Sequence, residues 1–264
     1  NQGVQDFCNG SGEIEFLSLA TPLSEEDAQR CTDNNVEVLT YPLGQEAVVL
    51  VSNAADDYAS CLTTEQIITI WGAPATDTIM NWSDVDAELT DAELFTIAPS
   101  TGSLEADVLL SAGEGPVLPL RSDATETNSD PLYRAAAVAN VPGTITFMSW
   151  SDYQEVLESE QENIQLVAVD AGDGCVAPDE TTIADSTYTY ARSSTIALDK
   201  RLLTRSEVRS FLWFMFSDEN FTLLEDAGYT GIVASDLPII REELQNVFDE
   251  VGDVVPTTPP TTIE

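Results

Sequence analysis

Histidine is absent from the 264 residues, and lysine occurs once, as Lys200. The lack of histidine removes Ser-His-Asp and Cys-His catalysis and the commonest metal ligand. Nine basic residues stand against 47 acidic ones, a formal net charge of −38 at pH 7. Nucleic-acid backbones require basic stripes, so no nucleic-acid partner is expected, and an anionic membrane surface is disfavoured for the same reason. No run of 18 apolar residues occurs, so no segment reads as a membrane span. The opening Asn1-Gln2-Gly3-Val4 lacks the charged-then-apolar pattern of a leader. No two cysteines form a C-x-x-C pair, which argues against zinc and thioredoxin-like chemistry. The acidic stretches Asp123–Asp130 and Asp170–Asp173 carry only part of the alternating ligand pattern of a calcium loop. No glycosidase or protease arrangement of carboxylates stands out. No enzyme activity, metal or cofactor is expected.

What is present points to a globular protein outside the cytoplasm. The 43% apolar content and the length suffice for one large or two medium domains. Cys8, Cys31, Cys61 and Cys175 are an even set on an acidic, lysine-poor chain, which predicts two disulfides and an oxidising compartment. Four cysteines allow three pairings. The acidic surface is strongly hydrated and suited to a salty medium. It does not exclude a small anionic ligand, because screening beyond roughly 8 Å leaves local dipoles to decide. Three sequons, at Asn9, Asn81 and Asn220, permit N-glycosylation where the machinery exists. Residues 253–264 form a Pro/Thr-rich tail, predicted to be extended, as in a stalk or linker.

Strand-like and helix-like runs alternate, which predicts an α/β fold. Strands are predicted at Val36–Tyr41, Glu46–Val51, Phe95–Ala98, Thr144–Met148, Gln165–Val169 and Thr187–Leu198, the first two separated by a break at Pro42-Leu43-Gly44. Ser24-Glu25-Glu26-Asp27 reads as a capping box opening a helix to Cys31. Thr63 or Thr64 caps a helix through Trp71. Further helices are predicted at Asp130–Ala139 and Ser151–Glu158. Thr204-Arg205-Ser206-Glu207 reads as a second capping box, before a helix through Phe216 that is apolar enough to be buried on most sides. A last helix covers Leu237–Val251 and stops at Gly252. Residues 77–94 and 112–128 are loop-rich, and no internal repeat appears.

Two distant segments carry more specific information. One is Cys61-Leu62-Thr63-Thr64-Glu65-Gln66-Ile67-Ile68-Thr69-Ile70-Trp71 with Asn81-Trp82-Ser83-Asp84-Val85. The other is Val141-Pro142-Gly143-Thr144-Ile145-Thr146-Phe147-Met148 with Gly174-Cys175-Val176-Ala177-Pro178. Around them lie DFC at 6–8, TPLSEEDAQRC at 21–31, YPLGQEAVVLVSN at 41–53, NWSDVD at 81–86, LRSDATETNSD at 120–130, GCVAPDETTIADSTY at 174–188 and EDAGYTG at 225–231. In this order, from Gln2 to about Leu244, the chain resembles the cysteine-containing branch of the phosphate-binding (PstS-like) proteins that serve ABC transporters. The resemblance implies a type II periplasmic-binding-protein-like α/β fold, with two lobes joined by crossing strands near 50–55 and 190–198. Residues 1–54 and 196–252 would form the first lobe, incomplete by about a β-α-β unit at its start, and 55–195 the second. It also implies the pairings Cys8–Cys31 and Cys61–Cys175.

The same resemblance places the ligand residues. An Asp or Ser-Arg before a proline becomes Ala20-Thr21-Pro22, where only the Thr21 hydroxyl remains. The Ser-Gly-Thr turn that opens a helix becomes Ser100-Thr101-Gly102-Ser103-Leu104-Glu105, with Ser103 in the serine's place and Leu104 and Glu105 replacing glycine and threonine. Arg121 matches an arginine before Asp in a loop near the cleft, and Arg192 one on the returning strand; local ion pairs are the plainer reading of both. Thr21, Ser100, Thr101, Gly102, Ser103 and Arg121 are thus the candidate ligand residues. Glu105, in the first turn of its helix, would itself be drawn to the helix dipole and would repel a bound anion, so phosphate affinity is expected to be much reduced or lost. The first functional expectation is an extracytoplasmic solute-binding protein, periplasmic, extracellular or at the cell surface, taking phosphate or a related small oxyanion to an ABC transporter permease. The second is a ligand-free relative serving as a structural cell-surface or filament subunit among copies of itself.

Overall fold

A computed structural model describes residues 2–20, 22–100, 103–111, 118–159 and 161–252. The fold is α/β. In chain order, α1 (Gln2–Cys8), β1 (Phe16–Leu19), α2 (Glu25–Asp33) and β2 (Val38–Asn53) come first. Then follow β3 (Cys61–Thr63), α3 (Thr64–Trp71), α4 (Trp82–Val85), β4 (Phe95–Ala98), α5 (Leu104–Ser111), β5 (Glu126–Thr127) and α6 (Pro131–Asn140). After these come β6 (Thr144–Ser149), α7 (Trp150–Glu158), β7 (Ile164–Asp170), β8 (Cys175–Val176), α8 (Glu180–Ala184) and β9 (Ala191–Asp199). The last helices are α9 (Ser206–Met215), α10 (Thr222–Asp226) and α11 (Leu237–Val251). The chain divides into two compact units, Asn1–Gly44 with Ser193–Glu264, and Gln45–Arg192. The Pro/Thr-rich tail lies outside the described residues.

In the first unit, β1 runs antiparallel to β9, from Phe16 opposite Leu198 to Leu19 opposite Thr195. The Ser24 side chain caps α2, accepting from the Asp27 N–H at 3.1 Å. Cys8 and Cys31 form a disulfide that ties α1 to α2, buried with Val4, Phe7, Leu19 and Val36. Leu237, Ile240, Leu244 and Phe248 recur at helical spacing along α11 and meet Val208, Leu212 and Phe216 of the α9 segment. Gly252 stops α11 with φ +83°, a conformation glycine adopts without steric cost.

Four sequence readings are corrected here. The α9 segment is not buried on most sides: Val208, Leu212 and Phe216 face the core, while Phe211, Trp213 and Phe214 are 42, 43 and 53% exposed. Thr204 does not cap it. Lys200–Thr204 is a 3-10 turn, the Thr204 hydroxyl donates to the Arg201 carbonyl, and Arg205 precedes α9 without a side-chain cap. Pro42-Leu43-Gly44 does not break the strand, because β2 runs through it. Gly44 has φ +122°, and a Cβ there would lie 2.6 Å from the Thr230 carbonyl oxygen, so this glycine serves a close backbone approach rather than a turn. Thr187–Tyr190 is turn, and β9 begins at Ala191.

The second unit is built around β2, β6, β4 and β7. The end of β2 pairs antiparallel with β6, Val48 opposite Ser149 to Ser52 opposite Ile145, and with β7, Leu50 opposite Val167 to Asn53 opposite Ile164. β4 lies parallel to β6 and to β5. β7 also holds β3 in parallel and β8 antiparallel, and the Cys61–Cys175 disulfide links those two short strands. Leu50, Ile67, Trp71, Trp82, Phe147 and Val167 belong to its fully buried core. Of the two cap candidates for α3, Thr63 takes the position, in a reciprocal box with Gln66.

The turn between α6 and β6 is held at Gly143. Its N–H donates to the buried Asp56 carboxylate at 2.6 Å, and its carbonyl accepts from Trp82 Nε1 and the Phe95 N–H, each at 3.1 Å. Its φ is +83°, and a Cβ would run into the Glu93 carbonyl oxygen. Gly143→Ala is therefore expected to destabilise the protein by about 2–3 kcal/mol in urea unfolding. A loss below half a kcal/mol would show that this turn relaxes freely.

Candidate anion site in the second unit

Three strands of the second unit lead directly toward helices. β4 leads through Pro99 and Ser100 to α5, β5 through Asn128 to α6, and β6 into α7. Because β5, β4 and β6 are parallel, all three helices start from the carboxyl edge of the sheet. That edge is where open α/β sheets hold ligands, and helix N-termini there present free N–H groups and a positive dipole end. Each start is capped from its own sequence. Ser103 Oγ accepts from the Ala106 N–H at 3.3 Å, Asp130 from the Leu132 and Tyr133 N–H groups, and Ser149 Oγ from the Asp152 N–H at 3.1 Å.

Of the candidate ligand residues, Ser100 is exposed and its carbonyl accepts from the Ser103 N–H at 3.1 Å. Ser103 caps α5, its Oγ accepting from the Ala106 N–H. Thr21, Thr101 and Gly102 lie outside the described residues. Pro22 lines a cavity of about 320 Å³ in the first unit, whose polar walls include Thr40 and Thr195.

Arg121 is a scaffold residue. Its Nε and Nη2 donate to the Asp123 carboxylate at 2.8 and 3.1 Å, Nη1 to the Ile70 carbonyl and Nη2 to the Ile79 carbonyl, each at 3.0 Å. The hydrogen bond from Arg121 holds the Asp123 carboxyl below the usual carboxylate range, helped by the Asp77 N–H. With four bonds made inside the protein, this guanidinium ties the end of α3 to the following loops. Arg192 pairs with Glu46 at 3.4 Å.

A residue that the sequence reading missed occupies the carboxyl edge instead. Arg134, on α6, is 1% exposed. Its Nη1 donates to the Asn128 carbonyl at 2.8 Å, and its Nη2 stands 3.8 Å from Asp152 Oδ2 in the first turn of α7. Glu105 in the first turn of α5 and the α6 cap Asp130 add their charge. Burial pulls the Arg134 guanidinium down against these three carboxylates. Burial likewise pushes the Asp152 carboxyl up, opposed by the Ser149 hydroxyl and Arg134 and reinforced by Glu105. One sequence signal was available: Arg134 lies four residues before the fully buried Val138, on the same helix face. Among the described residues, no cluster of three or more His, Cys, Asp or Glu is placed to hold a metal ion.

This fold, with three helix starts at one parallel-sheet edge, is that of a ligand-binding protein of the periplasmic kind. The chain belongs to the PBP superfamily, whose domain matches residues 1–219. Protein SphX of Synechocystis sp. (strain ATCC 27184 / PCC 6803 / Kazusa) is 26% identical over 186 residues, 70% of this chain and 53% of that protein. Phosphate-binding protein PstS of Staphylococcus aureus (strain USA300) is 23% identical over 230 residues, 87% of this chain and 66% of that protein. The chain thus spans between half and two thirds of these relatives. A possible phosphate binding protein from Planctomyces limnophilus DSM 3776 shares the fold with a TM-score of 0.77 at 22% identity, covering 95% of this chain and 84% of that one. A putative phosphate ABC transporter substrate-binding protein from Clostridium perfringens, solved with bound phosphate, superimposes with a TM-score of 0.59 at 17% identity, covering 88% of this chain and 84% of that one. PstS and these two structures are named for binding phosphate, not for catalysis. Among the described residues no helix is long and apolar enough to cross a membrane.

Proposed function

We propose that the chain is an extracytoplasmic solute-binding protein that captures phosphate or a related small oxyanion for an ABC transporter, through ligand loops weaker than those of PstS. The observation that supports this reading most is the meeting of three helix starts and one buried arginine at a single sheet edge, a donor set suited to an oxyanion. The names of the relatives agree with it, and two disulfides suit an oxidising compartment outside the cytoplasm. Ser100 and Ser103 would supply neutral donors at this edge. Weak capture follows from Glu105, which brings a negative charge to the place where the anion's charge must sit.

Calorimetric titration with inorganic phosphate at pH 7 tests this. A dissociation constant on the order of 0.1 mM is expected, with matching thermal stabilisation at saturating phosphate. No heat and no shift of the melting temperature at millimolar phosphate would remove the capture reading. Micromolar or tighter binding would remove the weakened loops. The second reading, a structural subunit at the cell surface or in a filament, draws support from the exposed aromatic side chains of α9. Sedimentation showing concentration-dependent assembly without phosphate binding would favour it.

A further inference from the structure

We propose that Arg134 is the charged anchor of the oxyanion subsite in the second unit, and that Asp152, with the charge of Glu105 added, holds this anchor until an anion takes it over. The inference rests on the capture reading above and goes beyond it, because neither the sequence nor the resemblance pointed to Arg134.

The contrast between two arginines of the same unit carries the argument. Arg121 and Arg134 have almost equal side-chain exposure, 3 and 1%. Arg121 makes four side-chain hydrogen bonds, two of them to one carboxylate. Arg134 makes one, to the Asn128 carbonyl, and its buried Nε has no partner among the described residues. Its Nη2 reaches toward Asp152, but 3.8 Å is beyond hydrogen-bond range. A buried guanidinium with its donors so little used is costly, and such groups are ordinarily completed by an acceptor. Asp152, in the first turn of α7, stands 3.8 Å from it, and the charge of Glu105 in the first turn of α5 acts on it as well; helix dipoles favour negative charge at both places. An acceptor with several oxygens would satisfy Nε and Nη2 together, as a bidentate ligand does.

The same geometry limits the charge of that ligand. Glu105, Asp130 and Asp152 already outnumber the one guanidinium. Asp130 is fixed by its two backbone bonds as the cap of α6. Asp152 is held by the Ser149 hydroxyl and backbone N–H but also stands 3.8 Å from Arg134 Nη2, and no capping bond to the Glu105 carboxylate is made among the described residues, so both charges compete for Arg134. A singly charged oxyanion fits this balance better than a doubly charged one. Neutralising either competitor should therefore strengthen anion binding, although each substitution removes a polar group from the site.

Titration calorimetry with inorganic phosphate at pH 7 and low ionic strength tests this on the wild type, Glu105→Gln, Asp152→Asn, Arg134→Lys and Glu88→Gln. Glu88 is exposed on another loop and controls for the change in net charge. Glu105→Gln and Asp152→Asn are each expected to tighten binding at least about tenfold relative to Glu88→Gln, and Arg134→Lys to weaken it by about tenfold or more. If Arg134→Lys does not fold, by its far-ultraviolet circular dichroism, the two carboxylate variants still decide the matter. Equal affinity in Glu105→Gln, Asp152→Asn and Glu88→Gln overturns the proposal while leaving phosphate capture standing, provided the wild type binds. Absence of binding in all five proteins overturns both.

Discussion

Replacing Arg121 by methionine is expected to lower the unfolding free energy by about 3–5 kcal/mol, the range for removing one partner of a buried, hydrogen-bonded charge. Methionine keeps much of the side-chain volume, so the loss isolates the guanidinium. Without it the carbonyl of Ile70, in the last turn of α3, and the carbonyl of Ile79 lose their donors. Asp123 loses two charge-assisted bonds and keeps the one from the Asp77 N–H at 2.8 Å. The backbone of this segment remains tied, through the Arg121 N–H to the Trp71 carbonyl at 2.8 Å, so a local defect rather than global misfolding should follow. Urea unfolding at pH 7 measures the effect, and a loss under 1 kcal/mol would mean the site is wetter than its burial implies.

The same pair sets a pH dependence. Hydrogen bonding to Arg121 holds the Asp123 carboxyl below its ordinary value of 3.8. The unfolded chain therefore takes up this proton first as the pH falls. The contribution is fully present above pH 3.8 and is lost as the pH drops through the lower folded value. Arg121→Met should flatten that part of the acid limb. An unchanged acid limb would exclude this pair as a source of acid sensitivity.

Removing the Cys61–Cys175 disulfide by paired alanine substitution is expected to cost about 5 kcal/mol, and removing Cys8–Cys31 about 3, from the loop-closure entropy each takes out of the unfolded chain. The two bridges span 114 and 23 residues. Position adds to the asymmetry. Cys61 and Cys175 sit on strands of three and two residues, on either side of β7, with Cys61 opposite Ala168 and Cys175 opposite Asp170. Such short strands have few ladder bonds of their own. Cys8 and Cys31 instead join helices already packed around Phe7 and Val36. Chemical denaturation of the two double variants gives the comparison; a larger loss for Cys8 and Cys31 would show that loop length does not govern stability here.

The elements legible in the sequence are those whose signals are local. Ser24 before an acidic turn, Thr63 with Gln66, the 237, 240, 244, 248 spacing of α11 and its stop at Gly252 are each set by neighbours within one or two helical turns. The misread elements depended on partners distant in the chain. Pro42 and Gly44 looked like a break because nothing nearby shows that Thr230 will pack against that glycine. The aromatic run of α9 looked buried because composition does not reveal which face meets α11. Thr204 had the residues of a cap, but a 3-10 turn engaged its hydroxyl first.

At the site, the sequence by itself determined the kind of surface and the exclusions: no imidazole chemistry, an acidic exterior, two disulfides, and a carboxylate in the first turn of α5. It also placed a serine at the cap of that helix, because capping is read within three residues. Only the tertiary structure decided how many acceptors each arginine meets. Arg121 and Arg134 are alike as residues, and each follows an acid-rich or polar loop. One is completed by carbonyls of Ile70 and Ile79, brought in from a distant stretch of chain, and the other makes one bond, to the Asn128 carbonyl, with Asp152 3.8 Å away. A charge's role depends on how many acceptors the fold brings to it, and that number is set by contacts between segments far apart in sequence.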